Sequence, residues 1–160
     1  MKKIGILLAV LLVIFIMAAF GIAEDKAWFD MGNCDFCKHL AADSLLMENM
    51  VWEQYEISNG LLIVTTVKPE FMESYRLATA RMKEIGEAMM AGTVADLKTC
   101  GHCDYYGMMM QSGAEFEHIE TPTGDIDLIT SDNEEIIEMI KTYADNNDKA
   151  MAAFEEKEAE

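Results

Sequence analysis

The stretch WEQYEISNGLLIVTT at residues 52–66 decides the fold, because FEHIETPTGDIDLIT at residues 116–130 matches it 64 positions later. Four of the fifteen positions are identical, and an aromatic residue, two acids and a turn glycine recur at the same places. Asn59-Gly60 is a strong hairpin signal and Thr123-Gly124 a weaker one. Each stretch is therefore predicted to form a β-hairpin. The predicted strands are 51–57, 61–67, 115–121 and 125–130.

Helices are predicted on both sides of each hairpin. A short helix opens each copy, over about 35–49 and about 101–113, and each begins at a CxxC pair. A longer helix closes each copy: the first starts at Pro69 and ends at Gly92, and Ser131 caps the second. Since a lone hairpin is marginally stable, the two hairpins are expected to join. The sequence thus predicts an α+β fold, a tandem αββα pseudo-repeat with one four-stranded antiparallel sheet packed with helices.

The first 23 residues differ from the rest of the chain. Lys2 and Lys3 precede an uncharged, almost wholly apolar run over residues 4–23. Gly21 and Ala23 are small residues before a cleavage position, as in an export signal, but 20 such residues can also anchor a protein in a bilayer. Both alternatives place the remainder outside the cytoplasm, in a periplasmic, extracellular or anchored form.

The predicted organisation has four segments. They are a signal peptide or membrane anchor (1–23), the first repeat (24–92), the second repeat (93–154) and an acidic tail (155–160). The chain carries 12 basic and 29 acidic side chains, for a formal charge of −17. This charge argues against nucleic acid as a partner and against docking on an anionic membrane, so membrane contact is expected only through residues 4–23.

Cysteines provide the main chemical signal. They form two pairs, Cys34-Asp35-Phe36-Cys37 and Cys100-Gly101-His102-Cys103. A CxxC at a helix start places two thiols near backbone N–H groups and the positive end of the helix dipole, which favours the thiolate that binds metals. The 62 residues between the pairs far exceed the usual spacing of a zinc site, but a pseudo-two-fold repeat can bring equivalent motifs together. We therefore predict that Cys34, Cys37, Cys100 and Cys103 bind one thiophilic ion.

The predicted metal is zinc or copper. His39 and His102 lie in or beside the motifs, and the chain has 14 methionines, including the run Met108-Met109-Met110. Soft sulfur ligands select Cu(I), and imidazole also suits copper. Most of the methionines are better explained as core residues on helical stripes. The candidate additional ligands are His39, His102, Met108, Met109 and Met110.

Two other readings of the cysteines stay open. Cys100-Gly101-His102-Cys103 resembles the active-site tetrapeptide of protein disulfide isomerases, which implies thiol–disulfide exchange in the cell envelope. The resemblance covers four residues, its flanks Thr99 and Asp104 differ from that family, and no βαβ pattern precedes it. Alternatively, an even number of cysteines in a small exported chain can form two disulfides that stabilise a protein-interaction module.

Several other functions are excluded or disfavoured. Covalent haem attachment needs a histidine after CxxC, and Lys38 and Asp104 stand there instead. No nucleotide-binding loop, nucleophile elbow or zinc-protease helix occurs. The predicted function is metal binding, delivery or sensing rather than catalysis, with the metal ion as ligand and another envelope protein as candidate partner.

Overall fold

The structure, a computed structural model, describes residues 26–158. The predicted signal or anchor (1–23) and the last two residues of the predicted acidic tail lie outside the described residues. Within the described range, the elements follow the order α1 (Ser44–Glu48), β1 (Met50–Ile57), β2 (Gly60–Val67), α2 (Met72–Met90), α3 (Gly101–Ser112), β3 (Glu115–Thr121), β4 (Gly124–Thr130) and α4 (Glu134–Glu158). Single 3-10 turns occur at Cys37–His39 and Pro69–Phe71.

The four strands of the described part form one antiparallel sheet in the order β1-β2-β4-β3. Each predicted strand matches an observed strand to within one residue at either end. The two hairpins meet through their second strands, so β2 and β4 lie at the centre of the sheet and β1 and β3 at its edges. The α+β class and the four-stranded antiparallel sheet predicted from the sequence are confirmed.

The register of the two central strands is symmetric. Ile63 pairs with Asp127, which stands 64 positions later in the chain. Gly60 and Gly124 each begin a central strand, and an added Cβ atom would lie 2.0 Å and 1.9 Å, respectively, from a backbone carbonyl oxygen of the opposite strand. Glycine is therefore required at both positions for β2 and β4 to approach each other.

One face of the sheet carries the hydrophobic core. Side chains from the central strands pack there against α3 and α4, and most of them are fully buried. The main core consists of Leu61, Ile63, Met109, Ile129, Ile136, Ile140, Tyr143 and Ala144. Since successive residues of a strand point to opposite faces, the odd-numbered residues of β2 and β4 meet these helices. No helix among residues 26–158 has both the length and the apolar character needed to cross a membrane.

Helix α2 is attached to the same face by a second cluster and an ion pair. Tyr75 packs against Leu46 and Val67 in this cluster. The buried carboxylate of Asp125 accepts hydrogen bonds from the Tyr75 hydroxyl at 2.8 Å and from Arg76 at 2.5 Å. Because an unpaired buried carboxylate is costly, these two bonds fix where α2 lies on the sheet.

Two local predictions are wrong. The helix predicted over about 35–49 is a 3-10 turn followed by α1, because the Asp43 side chain accepts a hydrogen bond from the Leu45 N–H and starts a new helix. The cap of α4 is Asn133 rather than Ser131: the Asn133 side chain accepts from the Glu135 N–H at 2.8 Å. Asparagine caps as well as serine, so the helix begins two residues later.

Candidate metal centre

Two of the four cysteines, one from each pair, lie at the start of a helical element. Cys37 is the first residue of the 3-10 turn Cys37–His39, and Cys100 directly precedes α3. In both motifs the carbonyl of the first cysteine accepts a hydrogen bond at 3.0 Å, from the Lys38 N–H in the first and from the Asp104 N–H in the second. The two CxxC segments therefore share a local backbone bond that folds each pair of sulfurs to the same side.

Backbone contacts hold the two segments together. The Asp35 N–H donates to the Lys98 carbonyl at 2.7 Å, and the Lys98 N–H donates to the Asp35 carboxylate at 2.8 Å. Gly101 packs so closely on Trp28 that a Cβ atom would lie 3.2 Å from its ring. These contacts place the sulfurs of Cys34 and Cys37 beside those of Cys100 and Cys103, even though 62 residues separate the motifs.

The four sulfur atoms form one compact group. The Sγ–Sγ distances are 3.5 Å between Cys34 and Cys103, 3.6 Å between Cys37 and Cys103, and 3.7 Å between Cys37 and Cys100. All four lie within 4.8 Å of one another, and all are free thiols. Four sulfurs at about 2.3 Å from a central zinc ion would be about 3.8 Å apart in a regular tetrahedron. The group therefore has the size that a tetrahedral four-thiolate site needs.

Burial and mutual hydrogen bonding determine the charge on the sulfurs. Cys34, Cys37 and Cys100 are buried and Cys103 is partly buried. Hydrogen bonds from Cys103 and Cys37 lower the pKa of Cys100 far below its usual range. The bonds to Cys100 correspondingly raise the pKa of Cys37 and of Cys103. One thiolate is thus stabilised by its neighbours, and further thiolates require a positive charge among them, which a bound metal ion supplies.

His102 lies beside the sulfurs. Its Nδ1 is 3.9 Å from the Cys103 sulfur, and its Nε2 is 2.5 Å from the Tyr143 hydroxyl. Burial lowers the pKa of His102 to about 4, so the ring is neutral at pH 7. We assign the ring hydrogen to Nδ1, because a metal-bound Cys103 would be a thiolate, which can only accept a hydrogen bond, whereas the Tyr143 hydroxyl can donate one to Nε2. His102 is thereby placed to donate to a ligand sulfur.

The other candidate ligands lie in different surroundings. Met109 is fully buried in the main core, while Met108 and Met110 are exposed. His39 follows the first motif, and burial lowers the pKa of its ring. The methionine packed against the cysteine cluster is Met31, together with Phe36. The structure therefore brings together the four cysteines and His102, but does not place the methionine run among them.

Tyr143 was assigned no role from the sequence. Its hydroxyl contacts His102, and its ring packs in the main core. The sequence did offer one signal: a tyrosine at a buried helical position usually finds a hydrogen-bond partner for its hydroxyl. Trp28 is a second such residue: its indole N–H donates to Asn147 on α4 at 2.8 Å.

Comparisons of the chain with protein-family models, with curated proteins and with solved structures returned no match. The functional conclusion therefore depends on the geometry of the four cysteines. That geometry is compatible with a bound metal ion.

Proposed function

We propose that this protein binds one thiophilic metal ion through Cys34, Cys37, Cys100 and Cys103, and that zinc is the ion it holds. The observation that carries the proposal is the grouping of four unpaired sulfurs within 4.8 Å of one another. Four thiolates in a tetrahedron are typical of structural zinc sites. Copper is the competing ion, because Cu(I) also prefers sulfur ligands.

A site of this kind favours binding or sensing over catalysis. A catalytic zinc ion keeps one coordination position open for water or substrate, whereas four cysteines leave none. Three of the four cysteines are also buried, so a thiol or disulfide of another molecule has little access to their sulfurs. We therefore assign the metal a role in joining the two CxxC segments, with its loss or gain as the signal that a partner can detect.

The experiment is elemental analysis of protein purified without added metal, combined with a count of reactive thiols before and after chelation. One zinc ion per chain, with four thiols released by the chelator, is expected. Cys37→Ser should abolish stoichiometric zinc binding, whereas the matched control His39→Gln should retain it. Stoichiometric copper would reassign the ion. Absence of metal with four reactive thiols would support redox chemistry instead, and absence of both would support a disulfide-linked protein.

We further propose that the protein acts outside the cytoplasm, either released after cleavage before Glu24 or anchored through residues 4–23. The support is the sequence of that segment, with two lysines before a long apolar run and small residues near its end. Bound metal would protect the thiolates from oxidation in that compartment. Cell fractionation tests the location, and N-terminal sequencing of the purified protein distinguishes cleavage from anchoring.

We infer that residues 24–92 and 93–154 are two copies of one αββα unit, each with a CxxC beside its first helical turn. The sheet register supports this, because β2 and β4 pair about a centre that relates residues 64 positions apart. The hydrogen bonds at the ends of the central strands are equivalent as well: Val67 donates to Thr123, and Ser131 donates to Asn59. Equal destabilisation by equivalent substitutions in the two copies is the corresponding test.

A further inference from the structure

The sheet has a second face, which no helix of residues 26–158 covers. The even-numbered residues of β2 and β4 point to it, together with the odd-numbered residues of β1 and β3. We call this surface the open face. Its apolar side chains are Val51, Tyr55, Ile57, Leu62, Val64, Ile119, Ile126 and Leu128.

The composition of the open face is unusual for a surface in contact with water. An antiparallel sheet with one solvated face normally alternates apolar residues inside with polar residues outside. Here the central strands place aliphatic side chains on both faces, and the edge residues Tyr55 and Ile119 are 50% and 42% exposed. The central residues Leu62, Val64, Ile126 and Leu128 are partly exposed between them. An apolar surface of this kind marks an interaction site more often than a scattered apolar residue does.

Charge restricts the partner. The charged strand residues on the open face are Glu53, Glu115 and Glu117, which are all exposed and all acidic. The four strands contain neither lysine nor arginine. A second copy of this chain would bring carboxylates against carboxylates, and an anionic membrane would be repelled. A partner with an apolar stripe flanked by lysines or arginines would match both the apolar surface and the acidic charge of the open face.

Size restricts the partner further. Four strands about 4.8 Å apart and eight residues long at about 3.3 Å per residue give a face of about 500 Å². A stable protein–protein interface buries about 800 Å² on each partner, which is more than this face offers. A single helix about 10 Å wide and about 17 residues long would lie along the apolar residues and leave its flanks near the glutamates.

We propose that the open face binds an amphipathic helix of another protein, with aliphatic residues on its buried side and lysines or arginines flanking them. The proposal uses no residue of the metal centre, so it stands or fails independently of the proposed metal binding. The aliphatic residues of the central strands supply the contact area, and the glutamates orient the cationic flanks.

The test uses an 18-residue fluorescent helix peptide of leucine and lysine, with all leucines on one side, titrated into the purified protein. A scrambled peptide of the same composition controls for attraction to an acidic protein. The amphipathic peptide should bind at least ten-fold more tightly than the scrambled one. The double variant Tyr55→Thr, Ile119→Thr should weaken this binding by at least ten-fold. Threonine keeps the strand propensity and adds no charge.

The matched control is the double variant Leu77→Gln, Met90→Gln, which removes two exposed apolar side chains from α2. It should change peptide binding by less than two-fold. Circular dichroism must show that both double variants remain folded. The proposal is overturned if the scrambled peptide binds equally well, or if the α2 variant weakens binding as much as the sheet variant. It is also overturned if the protein pairs with itself or binds phosphatidylglycerol vesicles through this face.

Discussion

Removing the proposed metal ion should loosen one part of this protein without unfolding its sheet. The cysteine cluster is a separate packing unit, in which Met31 and Phe36 contact the cysteines, whereas the main core consists of sheet, α3 and α4 residues. Chelation is therefore expected to expose the segment before α1 and the start of α3, while the central strands stay protected. Hydrogen exchange followed by mass spectrometry measures this directly.

The size of the effect follows from binding linkage. Free metal at 100 times its dissociation constant stabilises the folded state by about 2.7 kcal/mol. The described part of the chain has about 130 residues, for which the entropy of unfolding is about 0.27 kcal/mol per kelvin. The melting temperature should therefore fall by about 10 °C when a chelator removes the metal, as measured by calorimetry at fixed pH.

Two results would refute this reasoning. If the chelator removes all metal and the melting temperature changes by less than about 2 °C, the ion does not bind preferentially to the folded state. If the amides of β2 and β4 lose protection together with those near Cys34, the site is essential to the whole fold rather than to one part. Cys34→Ser provides the control, because its melting temperature should not respond to the chelator.

Three further predictions concern the sheet and the surroundings of the metal centre. Gly60→Ala and Gly124→Ala should each destabilise the protein by about 3 kcal/mol in urea unfolding, because a Cβ atom there meets a backbone carbonyl at 2.0 Å or less. The control is Gly107→Ala in α3, where an added Cβ atom has no neighbour within 4 Å, so this variant should be neutral or more stable by up to about 1 kcal/mol. Equal losses of stability at all three sites would contradict the close approach of β2 and β4. Tyr143→Phe removes the hydroxyl that contacts and orients His102. The affinity for the metal, measured by competition with a chelator, should therefore fall by about ten-fold. An unchanged affinity would rule out this orienting role. Burial raises the pKa of Asp127 above the ordinary value near 3.8, so its ionisation costs the folded state at neutral pH. Asp127→Asn should therefore be more stable than the native protein at pH 7, with a difference that shrinks as the pH falls through this range; a difference independent of pH would refute the assignment.

The sheet could be predicted from sequence because its signals are local. Asn59-Gly60 and Thr123-Gly124 mark tight turns, and the alternation of apolar and polar residues along the flanking strands indicates which side chains face the core. The joining of the two hairpins followed from the marginal stability of a single hairpin. Local signals also explain the errors: Asp43 and Asn133 are capping residues, and each was passed over in favour of a longer helix.

The candidate site was predictable in part. The ligand types and their spacing within each motif identified the four cysteines, whereas their convergence depends on contacts such as the one between Asp35 and Lys98. The repeat of 64 positions indicated that equivalent motifs could meet, but it does not reveal an individual contact such as this one across 63 positions. The interaction between His102 and Tyr143 was missed for the same reason, because it joins α3 and α4, which are separated in the chain by β3 and β4 and meet only when both pack on the sheet.

The pairing of β2 with β4 has a consequence for the order of folding. Each hairpin closes a two-residue turn, whereas Ile63 reaches Asp127 only after the 63-residue segment between them has closed into a loop. Because loop closure costs entropy before long-range contacts repay it, the two hairpins should form quickly and their joining should limit the rate. Exposed central strand edges would persist during that interval, so newly made chains are at most risk of aggregation before β2 and β4 meet.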